Sequence, residues 1–353
     1  MDYRITAEER AWFKRCRRQW DFASPHRRNL QPTGFAVPAL PAALKEALAV
    51  YYYPGTWDWP REVTQPLVRK ALQRSLAEAG ATDKFERAAA VLDCYDAWAV
   101  TVDDFAPVRV NCDVRALVPD PDEPERGLVV HDGSAVVYPC LVDLLAVDAA
   151  DEYWVVSHRV VQQWQELETL LRDEEAVAAC WAVEQDYLGL RVAGTIHNEL
   201  RIGGPLDFPP TGPAAGSRQV AQHEASGGGR SLPQHQRVAA QASRAGGAGR
   251  TEQRSAGVVR RTRIRRTRHE ITTVGQLIAA EALEMTRWPR IYPTPAAHCG
   301  DCAFREPCLA LTEGTDPQPV LAAHFRLAPA APPKPRLGQS TWGFGRGAAP
   351  PRW

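Results

Sequence analysis

Four cysteines have the residue type and the spacing to hold a metal centre. Cys299, Cys302 and Cys308 follow the spacing C-x2-C-x5-C near the end of the chain, and Cys16 lies close to its start. Groups of thiolates are the usual protein ligands of structural zinc and of iron–sulfur clusters. A centre bound by all four thiolates would connect the two ends of the chain and close a large loop between them.

The spacing of the thiolates does not decide between metals. A structural zinc site would use the three C-terminal cysteines with either Cys16 or His298 as its fourth ligand. The other cysteines have no cysteine neighbour in the sequence, and we expect buried free thiols there. These residues are Cys94, Cys112, Cys140 and Cys180.

The composition indicates a globular protein with balanced charge. The chain has 353 residues, 44% of them hydrophobic, and its 42 Lys+Arg residues balance its 42 Asp+Glu residues. Because the formal net charge is zero, any attraction to nucleic acid must come from a local basic surface. The N-terminus lacks the apolar region of a secretory signal, and no window approaches the roughly 18 apolar residues of a membrane span. We therefore expect a soluble cytoplasmic protein with reduced thiols and no membrane partner.

Hydrophobic periodicity predicts helices in the first hundred residues and a mixture of strands and helices after them. Thr6 and Glu9 have the spacing of a capping box, which predicts a helix from there to about Phe22. The other predicted helices cover 42–52, 63–79, 83–100, 173–188 and 268–285. The predicted strands cover 108–117, 136–147, 153–161, 192–202 and 260–268. This order favours an α/β fold with a mixed central sheet flanked by helices.

The same pass along the chain predicts one folded domain with two additions. Residues 1–312 form the domain, and 299–308 form the cysteine loop. Residues 203–256 are rich in glycine and locally basic, which is typical of a flexible insertion. Residues 313–353 form a Pro/Gly-rich tail whose aromatic residues would suit a protein partner.

An arginine-rich strand is the best candidate for a nucleic-acid interface. Alternate arginines on a strand share a face, and such a row would present guanidinium groups to successive phosphates. The alternative is a solvated edge strand whose charges prevent aggregation. The arginines are Arg260, Arg261, Arg263, Arg265, Arg266 and Arg268.

With these elements in place, the chain resembles the iron–sulfur members of the RecB-like branch of the PD-(D/E)XK nuclease superfamily. The likeness spans about 1–312. It rests on Cys16 within C-R-R-Q-W-D-F, the terminal C-G-D-C-A-F-R-E-P-C, and the strands around Leu141–Leu145 and Tyr153–Val156. It implies a restriction-endonuclease-like core and a [4Fe–4S] cluster on the four cysteines. It also implies DNA, as single strands or ends, as the partner in a repair reaction.

The resemblance also assigns the positions of an active site, where the residue types depart from the family pattern. Asp143 matches the first metal-binding carboxylate, whereas Ser157 and Arg159 stand at the carboxylate and lysine positions of the next strand. Lys45 stands at the position of an upstream histidine. The helix signature Gln-x-x-x-Tyr falls on Val177 and Trp181.

Two functional expectations follow from this degraded motif. If the protein hydrolyses DNA, Asp143 holds Mg²⁺ or Mn²⁺, Arg159 is the cation, Ser157 is an auxiliary polar group, and another residue supplies a carboxylate. The candidates for that carboxylate are Glu184, Asp186, Asp113 and Asp132. If it does not, the fold is a DNA-binding module stabilised by the cluster. The alternative is a non-catalytic protein-interaction or DNA-binding scaffold stabilised by zinc.

Overall fold

The computed structural model of the protein describes residues 2–35, 38–203, 251–287 and 290–329. The helices are α1 Ala7–Arg15, α2 Arg17–Ala23, α3 Ala39–Tyr51, α4 Arg61–Glu78, α5 Phe85–Val102, α6 Leu167–Leu171, α7 Glu174–Asp186, α8 Arg268–Thr286, α9 Arg305–Thr312 and α10 Gln318–His324. The strands are β1 Tyr3–Arg4, β2 Leu30–Pro32, β3 Phe105–Leu117, β4 Val136–Asp148, β5 Tyr153–Val161, β6 Val192–Arg201, β7 Thr251–Ala256, β8 Val259–Arg265 and β9 Phe325–Leu327.

The central sheet is mixed, as the sequence predicted. Within the described residues it has the order β1-β4-β5-β6-β8-β7, and β3 also pairs with β4. Strands β3, β4 and β5 are successive antiparallel neighbours, whereas β5 and β6 are parallel. A parallel pair needs a crossover connection, and α7 lies in that connection. A smaller sheet pairs β2 with β9 near the two ends of the described chain.

Helices cover both faces of the central sheet and form two hydrophobic cores. On one face α7 and α8 pack with residues such as Val155 of β5. On the other face α3, α4 and α5 pack with residues such as Val156. Because side chains alternate along a strand, Ser157 and Arg159 share the α7 face with Val155, whereas His158 shares the α3 face with Val156. Ser157 and Arg159, which belong to the candidate site, are therefore on the opposite face of the sheet from the buried His158.

The first helix is interrupted at Cys16, where the sequence predicted one continuous helix. The capping box of Thr6 and Glu9 is present. Cys16 itself is extended, with φ −164° and ψ 116°, and separates α1 from α2. The thiol accepts a hydrogen bond from the backbone N–H of Thr294, 3.4 Å away. Periodicity along one segment cannot anticipate such a distant contact.

Parts of both predicted additions to the domain have regular secondary structure. Thr251–Ala256, placed in the insertion by the sequence, forms β7 and pairs with β8, and the rest of the insertion, 204–250, lies outside the described residues. In the predicted tail, Gln318–Leu327 forms α10 and β9, and 330–353 lies outside the described residues. None of the helices in the described ranges combines the length and apolar character needed to cross a bilayer.

Candidate functional site

The four residues that the resemblance assigned to an active site line one cleft. The cleft has a volume of about 620 Å³ and lies between β4, β5 and the start of α7. Lys45 reaches it from α3, whose buried Leu44 and Leu48 hold that helix against the opposite face of the sheet. The polar side chains of the lining include Lys45, Asp143, Ser157, Arg159, Asp173 and Glu175.

Asp143 occupies the point where β4 and β5 cease to pair. The regular pairing of β4 with β5 ends at Leu144 and Val156. Beyond this point, the side chain of Asp143 takes the place of a backbone partner, because its Oδ2 accepts a hydrogen bond of 2.8 Å from the backbone N–H of His158. Lys45 Nζ lies 3.2 and 3.0 Å from the two carboxylate oxygens of Asp143. The Asp143 side chain is 11% exposed and that of Lys45 is 44% exposed. The ammonium group therefore neutralises a largely buried carboxylate from the open side of the cleft.

Arg159 is likewise held by neighbouring groups. Its guanidinium donates to Ser157 Oγ at 3.2 Å and to Gln165 Oε1 at 3.0 Å, and it forms an ion pair with Asp173. Asp173 is also the N-cap of α7, since its other oxygen accepts a hydrogen bond of 3.0 Å from the N–H of Ala176. Both sequence-predicted cations of the cleft are thus paired with carboxylates.

The carboxylates expected to complete a metal site are not in the cleft. Glu184, Asp186, Asp113 and Asp132 are absent from its described lining. Glu184 instead pairs with Arg268, and Asp132 accepts a backbone hydrogen bond in an exposed turn. The acidic residues that line the cleft with Asp143 are Asp173 and Glu175, which the sequence reasoning missed. The N-cap pattern at Asp173 was visible, but its second contact with Arg159 depends on the tertiary fold.

These groups do not fit a Mg²⁺ or Mn²⁺ site. Such ions need several oxygen ligands around one point. Asp143 forms an ion pair with Lys45, and Asp173 forms one with Arg159. Across 2–35, 38–203, 251–287 and 290–329, no group of three His, Cys, Asp or Glu side chains is arranged to hold a metal ion.

The residues at the helix signature have a packing role. Val177 and Trp181 are buried on α7 and belong to the core between this helix and the sheet. A Cβ atom added at Gly275 of α8 would come within 2.3 Å of the Trp181 indole nitrogen. Gly275 therefore permits the close approach of the two helices.

The six arginines do not form the exposed row that the sequence predicted. Strand β8 lies between β6 and β7 in the sheet, so it is not an edge strand either. Arg261 is buried and pairs with Asp103 at 2.7 Å, and Arg263 pairs with Asp104 at 3.1 Å and lies 3.9 Å from the centre of the Trp154 ring. The other four contact groups within the protein. These are Arg260 with Glu199, Arg265 with Glu152, Arg266 with the carbonyls of Leu170 and Leu171, and Arg268 with Glu184.

A buried polar network lies under the cleft, on the α3 face of the sheet. Arg261 donates to Asn198 Oδ1 at 2.7 Å, and Asn198 Nδ2 donates to His158 Nδ1 at 3.3 Å. The Tyr52 hydroxyl donates to Asp103 at 3.1 Å. The His158 ring stacks on Tyr52 with 5.6 Å between centroids. His158 thus connects this network to Asp143 through its own backbone N–H.

Burial keeps two histidines of β5 and β6 neutral. It lowers the pKa of His158 to about 4, with Lys45 and Arg261 adding to the effect and Asp143 opposing it. It lowers the pKa of His197 to about 3, and the charge of Arg159 acts in the same direction. In the unfolded chain both histidines take up a proton near pH 6.5. The unfolded state therefore binds more protons in the acidic range, and stability must rise with pH there.

We expect the free energy of unfolding to fall as the pH is lowered from about 7 to about 5, by roughly 2 kcal/mol for each of these histidines. Denaturant unfolding at a series of pH values measures this change. Burial raises the pKa of Asp103, which acts with the opposite sign. The contribution of His158 is therefore obtained by comparing the pH profile of the parent protein with that of His158→Phe, a variant that keeps an aromatic ring stacked on Tyr52. A His158→Phe profile as steep as that of the parent protein would contradict the assignment.

The cysteines from the two ends of the chain lie in one region. Burial raises the pKa of the Cys302 thiol, and the nearby Cys16 and Cys299 raise it further. Arg18, two residues after Cys16, donates to the carbonyl of Cys308 at 3.2 Å and lies 3.6 Å from its sulfur. All eight cysteines are free thiols.

The four thiols are of the residue type that binds a cluster or zinc, but they are not arranged as metal ligands in the described residues. Four cysteines from both termini supply the ligand types of a [4Fe–4S] cluster or of zinc. In the described part of the chain, however, they are not close enough together to form a ready group of three metal ligands.

The sequence matches no known protein-family model and no curated protein.

Proposed function

We propose that this protein is a DNA-binding member of the RecB-like PD-(D/E)XK nuclease group whose cleft holds the phosphate backbone without cutting it. The observation that carries the proposal is the placement of Lys45, Asp143, Ser157 and Arg159 in one cleft, with both cations already paired. The DNA would be single-stranded or would present an end, and the setting would be cytoplasmic.

The order of elements around the cleft supports a restriction-endonuclease-like core. Three antiparallel strands, β3, β4 and β5, are followed by α7 and by β6, which lies parallel to β5. This is the order expected from the resemblance. Asp143 and Ser157 stand where the second and third of these successive strands separate.

The ion pairs of the cleft argue against hydrolysis. The Lys45 ammonium contacts both carboxylate oxygens of Asp143, which are the oxygens that would have to bind a divalent cation. Ser157 offers a neutral hydroxyl, and that hydroxyl accepts a hydrogen bond from Arg159. The loss of one charge-stabilising or proton-transfer group commonly lowers a rate by about 10²–10⁴-fold. Because several members of one constellation are replaced here, we expect no useful turnover.

Two cations remain accessible to a phosphate at the cleft. Lys45 is about half exposed, and the Arg172 side chain is 79% exposed beside Glu168. The Arg172–Glu168 pair is exposed and therefore weak, so a phosphate can compete for Arg172, whereas Lys45 can contact a phosphate while it stays beside Asp143. Trp164 lies between Arg201 and Arg260, whose guanidinium carbons are 5.0 and 5.1 Å from its ring centre. The next residue, Gln165, accepts a hydrogen bond from Arg159, so Trp164 and these two arginines lie beside the cleft.

The four cysteines support a [4Fe–4S] cluster as a structural part of this protein. Closing the loop from Cys16 to Cys299 costs about 5 kcal/mol of chain entropy in an unfolded chain, and metal–thiolate bonds offset this cost. A reducing cytoplasm would keep the thiols available. Bound zinc on the same thiols is the alternative, and metal analysis with a visible spectrum distinguishes the two.

Reversing the two accessible charges is expected to weaken DNA binding. In Lys45→Glu/Arg172→Glu, two phosphate contacts are lost, so affinity for a labelled single strand falls by at least about tenfold. The slope of log K against log salt falls by about 0.7 for each lost contact. Fluorescence anisotropy at several salt concentrations measures both quantities.

Arg74→Glu is the matched control for that experiment. Arg74 is an exposed arginine of α4 that pairs with Glu78 and does not line the cleft. Its reversal should leave the affinity close to that of the parent protein. Equal loss of affinity in the control and in the cleft variant would show that binding is not located at the cleft, and would overturn the proposed function.

A further inference from the structure

A second pocket lies at the C-terminal end of β4, beside the turn that follows α3. Its volume is about 420 Å³, and it is formed by the turn after α3, by α5 and by the ends of β3 and β4. We call it the acidic aromatic pocket. Its defining residues are Tyr51, Trp57, Asp58, Trp59, Asp96 and Asp104.

The aromatic side of this pocket combines a fixed ring with an exposed one. Trp57 stacks on the buried Tyr52 with 5.5 Å between ring centroids, and lies edge-on to Tyr51 at 6.3 Å. Trp59 is 48% exposed, and Val100, also in the lining, is 42% exposed. Large exposed apolar side chains grouped at a pocket are typical of a binding site.

The acidic side of the pocket leaves one carboxylate open. Asp104 pairs with Arg263, and Asp96 pairs with Arg61. Asp58, which stands between Trp57 and Trp59 in the sequence, forms no ion pair or hydrogen bond with any described residue. The pocket therefore combines aromatic walls with a free negative charge, an arrangement that suits an apolar segment carrying a basic group.

The chain itself contains a segment of this chemistry. Residues 329–336 read P-A-A-P-P-K-P-R, with four prolines, two basic residues and no acidic residue. We call them the proline-rich segment. Proline restricts a chain to extended polyproline II conformations, which dock in grooves lined by aromatic side chains at a low cost in entropy. Lys334 or Arg336 would pair with Asp58.

The residue before this segment, Ala328, lies near the end of β4 that is opposite to the pocket. Ala328 N–H donates to the carbonyl of Asn29, close to His26, which stacks on Tyr3. Tyr3 pairs with Val136 at the first residue of β4. The pocket lining includes Val147 and Asp148 at the opposite end of β4, which is roughly 40 Å from Val136 at about 3.4 Å per residue. Seven steps of polyproline II span only about 22 Å.

We propose that the acidic aromatic pocket binds the proline-rich segment of a second copy of this chain. The contact goes beyond the proposed DNA binding, because the residues that define the pocket do not line the cleft. Pocket and segment are different surfaces, so the contact is heterologous, and successive copies can add in a head-to-tail manner. The mass of the assembly should therefore rise with protein concentration.

Sedimentation velocity of the full chain over a range of concentrations tests the proposal. The parent protein is expected to self-associate. Trp59→Ala, Asp58→Lys and Lys334→Glu/Arg336→Glu should each weaken the association at least about tenfold. Phe35→Ala is the control, since Phe35 is 56% exposed and does not line the pocket. It should associate like the parent protein.

A combined charge reversal separates the contact from any effect on folding. Asp58→Lys together with Lys334→Glu/Arg336→Glu restores opposite charges and should recover association that each change removes alone. A protein that stays monomeric at all concentrations overturns the proposal, as does association unaffected by Trp59→Ala. A monomeric protein that binds a synthetic 329–336 peptide through Trp59 also overturns it, because the occupant would then come from another protein.

Discussion

Replacing Arg261 with methionine is expected to lower the free energy of unfolding by about 3–5 kcal/mol. Arg261 is buried, and its ion pair with Asp103, 2.7 Å long, joins β8 to the end of α5. The methionine side chain fills similar space but leaves the Asp103 carboxylate buried without its cation. Burial already raises the pKa of Asp103 against the opposing effect of Arg261. Urea unfolding followed by circular dichroism measures the loss.

Two controls show whether the unpaired charge is the cause. In Arg261→Met/Asp103→Leu no charge remains buried, so most of the lost stability should return, because apolar replacement of a whole buried pair is often close to neutral. Arg74→Ala removes an exposed arginine paired with Glu78 and should change stability by less than about 1 kcal/mol. A double variant as unstable as Arg261→Met would show that packing, and not the charge, dominates.

Replacing Cys16 with serine is expected to remove the proposed metal centre and a large part of the stability that this centre would give. Cys16 is buried and is the only proposed ligand from the start of the chain. Without it, the link between the termini is lost, and the free energy of unfolding should fall by up to about 5 kcal/mol. Protein purified without oxygen should lose its broad visible absorption, with iron and sulfide content falling in parallel.

Cys94→Ser is the matched control for the cysteine experiment. Cys94 is a half-buried free thiol on α5 that belongs to the opposite core from α1. It should keep the iron content and the spectrum of the parent protein. A Cys16→Ser protein that retains full iron content would remove this residue from the proposed ligand set. A colourless parent protein rich in zinc would favour the zinc alternative.

Local patterns in the sequence predicted the elements that position the site. The capping box at Thr6 marks the start of α1, and the helix predicted over 268–285 corresponds to α8. The alternation of apolar residues predicted β4, β5 and β6 to within one or two residues of their bounds. These features depend on neighbours in the chain, so the residues that decide them can be read together.

The burial and the internal ion pairs of the arginine-rich strand could not be predicted from local patterns. Six arginines in nine residues indicated an exposed basic surface, but their partners Asp103, Asp148 and Glu199 come from other elements far away in the sequence. A charged strand is stable inside a sheet only when such partners converge on it. Nothing local distinguishes that arrangement from an exposed basic strand.

Four residues of the candidate site were predicted from the sequence, whereas the contribution of α7 was missed. The resemblance placed Asp143, Ser157, Arg159 and Lys45 together, and the cleft contains all four. It gave no indication of Asp173, which holds Arg159 from the N-cap of α7. The degraded motif could be read from the sequence, whereas the pairing of each remaining charge depends on how α3 and α7 approach the sheet.

The most direct test of the central claim is to incubate the purified protein with end-labelled single-stranded DNA and Mn²⁺, and to measure binding and strand length in the same samples. The paired charges at Asp143 and Arg159 predict salt-sensitive binding with every strand intact. Shortening of the DNA that requires Mn²⁺ and disappears in Asp143→Ala would contradict the claim that this cleft binds DNA without cutting it.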